Sequence, residues 1–267
     1  MSAPVFLVDA GVLATTAPGG SVVLTGSEAR HAGVVQRRAP GERVDVVDGV
    51  GTRARGVVES VADGAVHVRV QDLRVEAAPT VVLTLVQALA KGDRDHQAVE
   101  AAVELGVDAV VPWQADRSVV VWRGPRAEKA LAKWRSTVCA AVKQSRRAWS
   151  PDVAEHLTSR GLAAHVRDVV AGGGAVVVLH EEATTALADV PLPGPGGPGA
   201  TDGAAPRLLV VVGPEGGIGE DELALLTKAG AVTARLGPHV LRTSTAGPVA
   251  VALLSDRLGR WRVGWDV

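Results

Sequence analysis

Two corners near the C-terminal end restrict what this chain can fold into more than any other feature. Pro206 leads into an apolar run, Arg207-Leu-Leu-Val-Val-Val212, which empties into Gly213-Pro-Glu-Gly-Gly-Ile-Gly219. A helical stretch, Glu220 to Lys228, follows, and then Val232-Thr-Ala-Arg-Leu236 runs into Gly237-Pro-His-Val-Leu-Arg-Thr-Ser-Thr-Ala246 and a last helix over 246–258. Strands buried on both faces of a parallel sheet read as continuous apolar runs. Ligands of such sheets gather where the C-terminal ends of strands open into loops. An α/β fold with its site at these two corners is therefore expected.

The same alternation of strand and helix reaches back to Glu76-Ala-Ala-Pro79. It predicts strands over 80–89, 107–111 (ended by Pro112) and 175–179. Helices are expected over 93–105 (stopped by Gly106), 126–147 and 162–170. In the long helix Ala127, Leu131, Trp134, Val138, Ala141 and Val142 recur at helical spacing. Residues 1–75 read as a small β-rich unit with strands over 5–8, 43–47, 53–61 and 65–75. In the last of these Val66, Val68 and Val70 alternate with His67, Arg69 and Gln71, as a half-buried strand requires. Asp48-Gly49 and Asp63-Gly64 mark turns, and one helix over 27–38 takes Ser27 as its N-cap. Two domains follow, 1–75 and 76–267. The Pro- and Gly-rich stretch 190–206 has too little apolar surface to order itself and is expected to be a flexible insertion.

Composition excludes several classes. The one cysteine, Cys139, rules out a disulfide framework and a cysteine-based metal cluster. His67, His156 and His165 lack metal-ligand spacing, so no metal site is expected. No segment is long and apolar enough to span a bilayer, and no signal pattern opens the chain, which predicts a soluble, cytoplasmic protein with no membrane partner. The net charge of −1 gives no lead, but residues 123–147 hold eight Lys or Arg against one acid, Glu128. Such a run reads first as a solvated helix face, yet an excess of this size also neutralises several phosphates.

The glycine corner at 213–219 lacks the Gly-Lys-Ser/Thr of a phosphate loop. Glu222 stands where a dinucleotide fingerprint would need its third glycine. What remains is either a loop whose backbone can approach a flat ligand closely or only a tight turn, and the glycines alone do not choose between them. Glu220, Asp221 and Glu222 suit the positive end of the following helix and repel phosphate there.

Taken together, the motifs carry a resemblance. Gly-Pro-Glu-Gly-Gly at 213–217, Leu236-Gly237, Leu241-Arg242-Thr243 and Thr245-Ala246 resemble the RsmE family of the SPOUT methyltransferases, as do Glu104-Leu-Gly-Val107, Arg117-Ser118, Gln144-Ser145 and Arg147. His31, Val35 and the stretch from Gly41 to Gly49 are similar to that family's PUA-like RNA-binding domain. The resemblance implies a SPOUT domain with a parallel sheet and a deep trefoil knot behind an N-terminal PUA-like β-barrel. It implies a homodimer that uses S-adenosylmethionine to methylate N3 of a uridine in 16S rRNA of the small ribosomal subunit. The methyl donor would be held by three loops. These are Leu179, His180 and Glu181; Gly213, Pro214, Glu215, Gly216, Gly217 and Ile218; and Leu236, Gly237, Val240, Leu241, Thr243, Thr245 and Ala246.

Arg242 is the candidate to stabilise charge on the uracil, a phosphate-binding or structural arginine being the alternative. Glu215 is either a base or an acceptor that fixes its own loop. Arg30, His31, Arg37, Arg38, Lys91, Arg117 and Arg147 are the candidate RNA contacts. The chain departs from the family at His239 (usually basic), Ser244 (usually Glu), Ala101 (commonly Lys) and Lys143 (commonly Glu). Two rivals are another SPOUT activity, 2′-O-ribose methylation, and a non-catalytic RNA-binding or assembly factor.

Overall fold

The computed structural model describes residues 3–194 and 204–262. The chain forms two compact units, one of residues 1–78 with 139–150, the other of 79–138 with 151–267.

The first unit is built from β1 (Val5–Leu7), β2 (Ser21–Leu24), a short helix α1 (Gly26–Arg30), β3 (Arg43–Val47), β4 (Thr52–Ala62) and β5 (Ala65–Val75). They form one sheet in the order β1-β3-β4-β5-β2, parallel only between β1 and β3. Val66, Val68 and Val70 are buried with Phe6, Leu24, Val44 and Val46, so one face of the sheet carries the core. β2 escaped sequence reading because four residues, Ser-Val-Val-Leu, are too few to establish a period. The expected helix over 27–38 is shorter. Thr25 takes the N-cap position, α1 ends at Arg30, and the chain widens into a π-type turn, His31–Val35.

Residues 139–150 close this unit from far along the chain. Ala148 is buried against Val5 and Val47. Lys143 Nζ reaches Glu28 Oε1 at 2.7 Å, while the other Glu28 oxygen accepts from the Leu7 backbone N–H at 3.1 Å. The lysine that departs from the family pattern thus has a partner of opposite charge. The Arg53 guanidinium donates to the Arg146 carbonyl at 2.6 Å, and the Trp149 indole to the Glu76 carbonyl at 3.1 Å.

The second unit is a parallel sheet. Its strands are β6 (Val82–Ala88), β7 (Ala109–Gln114), β8 (Asp152–Val153), β9 (Leu157–Thr158), β10 (Ala175–Leu179), β11 (Arg207–Val212) and β12 (Val232–Ala234). The order is β12-β10-β11-β6-β7-β8, with β9 also on β7. The helices are α2 (Arg94–Glu104), α3 (Pro125–Ser145, whose last part belongs with the first unit), α4 (Ser159–Ala171), α5 (Glu220–Lys228) and α6 (Thr243–Arg257). The central strands β6, β7, β10 and β11 bury both faces. Val86, Val111, Val176, Val178, Leu209 and Val211 pack with Leu162 and Val166 of α4 and Leu226 of α5. The alternate residues face α2 and α6, which pack on each other and on β6. The result is a three-layer α/β arrangement.

Two further expectations are corrected. Pro112 does not end its strand, because β7 continues to Gln114. In a parallel strand alternate residues bond to opposite neighbours. Val110 bonds toward β8 through Ala154 N, and Trp113 toward β6 through Leu89 N. Pro112 therefore faces the gap between the end of β8, paired at Val110, and the start of β9, paired at Trp113. Its missing N–H costs no ladder bond there. The last helix begins at Thr243, three residues before the expected start, so the Leu241-Arg242-Thr243 motif leads into it with Arg242 as N-cap. Of the stretch expected to be a flexible insertion, Val190 is buried and accepts from Arg257 at 2.7 Å, and the Pro206 carbonyl accepts from Val82 N at 2.8 Å. Residues 195–203 lie outside the described residues.

Candidate active site

The C-terminal ends of three neighbouring strands, β10, β11 and β12, open on one cavity of about 790 Å³. Leu179 to Glu182 line it after β10, Val212 to Ile218 after β11, and Arg235, Leu236 and His239 to Thr243 after β12, with Ala246 of α6. The two glycine-and-proline corners thus close on each other: Gly216 and Leu241 face the same space. The first corner is tight because its own isoleucine folds beneath it. A Cβ on Gly213 would sit 2.7 Å from Ile218 Cγ1. Arg117 supports the loop from the other side, its Nη1 donating to the Gly216 carbonyl at 3.1 Å.

Two glutamates, one in this corner and one just after it, accept hydrogen bonds from neighbouring segments. Glu215 Oε1 accepts from Lys91 N at 3.1 Å and from Arg94 Nη1 at 3.0 Å. Burial pushes its carboxyl up, but the N–H groups of Glu215 itself and of Lys91, with the Arg94 side chain, outweigh this and leave its pKa below the ordinary glutamate value. Glu222, though in the first turn of α5, is turned inward and only 2% exposed. Its Oε1 accepts from Asp116 N at 2.8 Å and from the Ser159 hydroxyl, and its Oε2 from Gly219 N at 3.3 Å. The Trp113 indole donates to the same Ser159 hydroxyl at 3.3 Å. One carboxyl thereby joins the loop after β7, the start of α4 and the glycine corner.

The third wall ends in α6. Arg242 is its N-cap, is exposed and lines the cavity, and its guanidinium has no partner among the described residues. The Thr243 hydroxyl is buried. It donates to the Gly213 carbonyl at 2.8 Å and accepts from Gln87 Nε2 at 2.8 Å. Of the residues expected to hold the methyl donor, Gly237 and Thr245 do not line the cavity, and the others do. His239 lines it, while Arg94 and Arg235, which sequence reading did not single out, contribute further cations. Gln87 was missed as well. Its signal was a polar side chain in an otherwise apolar run, since a buried amide needs partners.

Among the RNA candidates Arg117 lines the cavity and Lys91 is exposed beside Glu215. In the first unit Arg30 and Arg37 are exposed, Arg37 with a left-handed φ of 52°. His31 is turned inward, its ring edge-on to Phe6 at 5.8 Å and its Nε2 3.2 Å from the Gln36 amide. Arg38 is half-buried and bonds to Gln36 at 3.3 Å, and Arg147 is half-buried. No group of three or more His, Cys, Asp or Glu among the described residues is arranged to hold a metal ion.

A parallel α/β unit with a cavity at its strand C-terminal ends has the architecture of a cofactor-using enzyme, and residues 76–255 match the RNA methyltransferase domain family. The ribosomal RNA small subunit methyltransferase E of Mycobacterium bovis is 46% identical over 91% of this chain and 89% of its own. That of Bacillus subtilis is 30% identical over 87% and 88%. The chain belongs to the ribosomal RNA small subunit methyltransferase E family. Among solved structures, the Neisseria gonorrhoeae member bound to S-adenosyl methionine superposes with a TM-score of 0.79, at 26% identity over 96% of this chain and 98% of that one.

Proposed function

We propose that the chain transfers a methyl group from S-adenosylmethionine to N3 of a uridine in 16S rRNA of the small ribosomal subunit. The observation that carries the reading is the cavity itself, with the unpartnered Arg242 guanidinium at its wall. Its volume lies within the about 300–1,000 Å³ of small-molecule sites, and Gly216 and Gly217, which line it without side chains, suit the close approach of a flat ligand. When bound, S-adenosylmethionine supplies an electrophilic methyl carbon, so the protein's part is to orient the nucleophile in line with it.

Uracil N3 carries a proton at neutral pH, and charge spreads onto the uracil carbonyls as that proton leaves. Arg242 sits at the positive end of α6, so guanidinium and helix dipole both favour that charge. Glu215 is a poor proton acceptor here, because its carboxylate already serves Lys91 and Arg94. Within the second unit, the exposed Lys91 and Arg117 would contact phosphates of the flipped nucleotide; the exposed Arg30 and Arg37 of the first unit are separate candidate RNA contacts.

The rest of the reading has structural support. The five-stranded sheet wound on Phe6 suits a PUA-like barrel that binds RNA. The return of α6 from the edge strand β12 to β6 and β11 suits a trefoil knot. The middle of α6, residues 246–254, is apolar, yet Leu253 is 45% exposed, which suits a homodimer that buries it. No described helix is long and apolar enough to cross a membrane, and a ribosomal substrate suits the cytoplasm.

Nucleoside mass analysis of 16S rRNA from a strain lacking the gene tests the reading. Loss of a single 3-methyluridine is expected, and loss of a 2′-O-methylnucleoside instead would refute the N3 assignment. Arg242→Ala should abolish transfer while leaving donor affinity within about threefold.

A further inference from the structure

Strand β6 lies inside the sheet, between β11 and β7, and contributes no residue to the cavity. Its one fully buried polar side chain, Gln87, nevertheless reaches two of the cavity's walls. The amide nitrogen donates to the Ala88 carbonyl at 3.3 Å and to the Thr243 hydroxyl at 2.8 Å, and that hydroxyl bonds to the Gly213 carbonyl at 2.8 Å. The direction of this chain is forced. An amide NH2 only donates, so the hydroxyl must accept from it and give its single proton to Gly213.

Gly213 opens the glycine corner and Thr243 opens α6, and both line the cavity. The packing leaves no slack: a Cβ on Gly247 would lie 3.1 Å from Gln87 Oε1 and 3.2 Å from Leu85. Gln87 Oε1 is itself buried without a partner among the described residues. A leucine or methionine would fill the same space without stranding an acceptor.

We propose that Gln87 is a positioning residue of the methyl-donor site. It polarises Thr243 so that the glycine corner and the start of α6, which carries Arg242, are held at one separation. The Gly213 carbonyl is thereby committed to Thr243 and withheld from the ligand. This inference rests on reading the cavity as the donor site.

The test combines calorimetric titration of S-adenosylmethionine with methylation of small-subunit particles, and melting temperature reports folding. Gln87→Met, close to volume-conserving, should weaken donor affinity roughly tenfold, the effect of one lost hydrogen bond. Thr243→Val should do the same, Thr243→Ser should not, and the double variant Gln87→Met/Thr243→Val should be no worse than either single one. Gln87→Glu gives the readout that a filler role would not move. Its carboxyl donates to Thr243 only while protonated, so donor affinity should fall as pH rises through its titration, whereas Gln87→Met shows no such dependence. If the wild type binds the donor and Gln87→Met binds it equally well, or if the two single losses add, the inference is overturned alone. A wild-type protein that ignores S-adenosylmethionine overturns the donor-site reading and this inference with it.

Discussion

Replacing Glu222 tests the claim that one inward carboxyl organises the neighbourhood of the glycine corner. Glu222→Ala strands Asp116 N–H and the Ser159 hydroxyl in a site where Glu222 is 2% exposed, at about 1–2 kcal/mol each. It also removes the side-chain bond to Gly219 N at the head of α5, worth about 1 kcal/mol as a cap. The sum is about 3–5 kcal/mol. For a unit of this size each kcal/mol moves the melting temperature by about 2–4 °C, so a fall of about 10 °C is expected by calorimetry. Glu222→Gln keeps the shape and loses one accepting atom, so its fall should be less than half as large. The reasoning is refuted if the alanine variant melts within about 3 °C of the wild type, or if glutamine is as harmful as alanine.

Gly51→Ala should unfold the first unit or melt it at least about 10 °C lower, since φ is +102° and the added carbon would lie 2.6 Å from the Trp149 ring; near-UV circular dichroism of Trp149 reads the outcome. Glu215→Gln should raise the KM for the donor several-fold with little change in melting temperature, because it loosens only the tie to Lys91 and Arg94; steady-state kinetics decide. Burial, with the Arg207 charge added, holds the His165 pKa below its ordinary 6.5. The unfolded chain therefore binds the proton first on acidification, so this group costs stability as pH falls below about 6.5 and costs nothing above it. His165→Gln should flatten the urea-unfolding midpoint between about pH 6.5 and 5 relative to the wild type.

The longer strands of the second unit were legible because buried parallel strands need unbroken apolar runs, whereas β8 and β9, two residues each, left no such run and were missed. β10 and β11 fall where Ala175–Leu179 and Arg207–Val212 placed them. The two corners were legible for a related reason: glycine clusters directly after such runs mark where backbone must turn or be approached. Harder were features whose cause lies in a distant partner. Pro112 looked like a terminator because the gap between β8 and β9 that excuses it is a matter of pairing, not of local composition. Glu222 looked like a helix-dipole residue, since nothing near it in sequence announces Asp116 or Ser159. Gln87 left only a weak trace, one amide in an apolar strand, and its meaning needed Thr243, 156 residues away.

The composition of the first unit has a consequence for synthesis. Val5 and Val47 wait for Ala148, Glu28 for Lys143, and the Glu76 carbonyl for Trp149. A ribosome making about 5–20 residues per second needs several seconds more to deliver them after residue 78. The nascent N-terminal sheet must spend that interval unfinished, and a fragment cut at residue 78 would stay in that condition permanently.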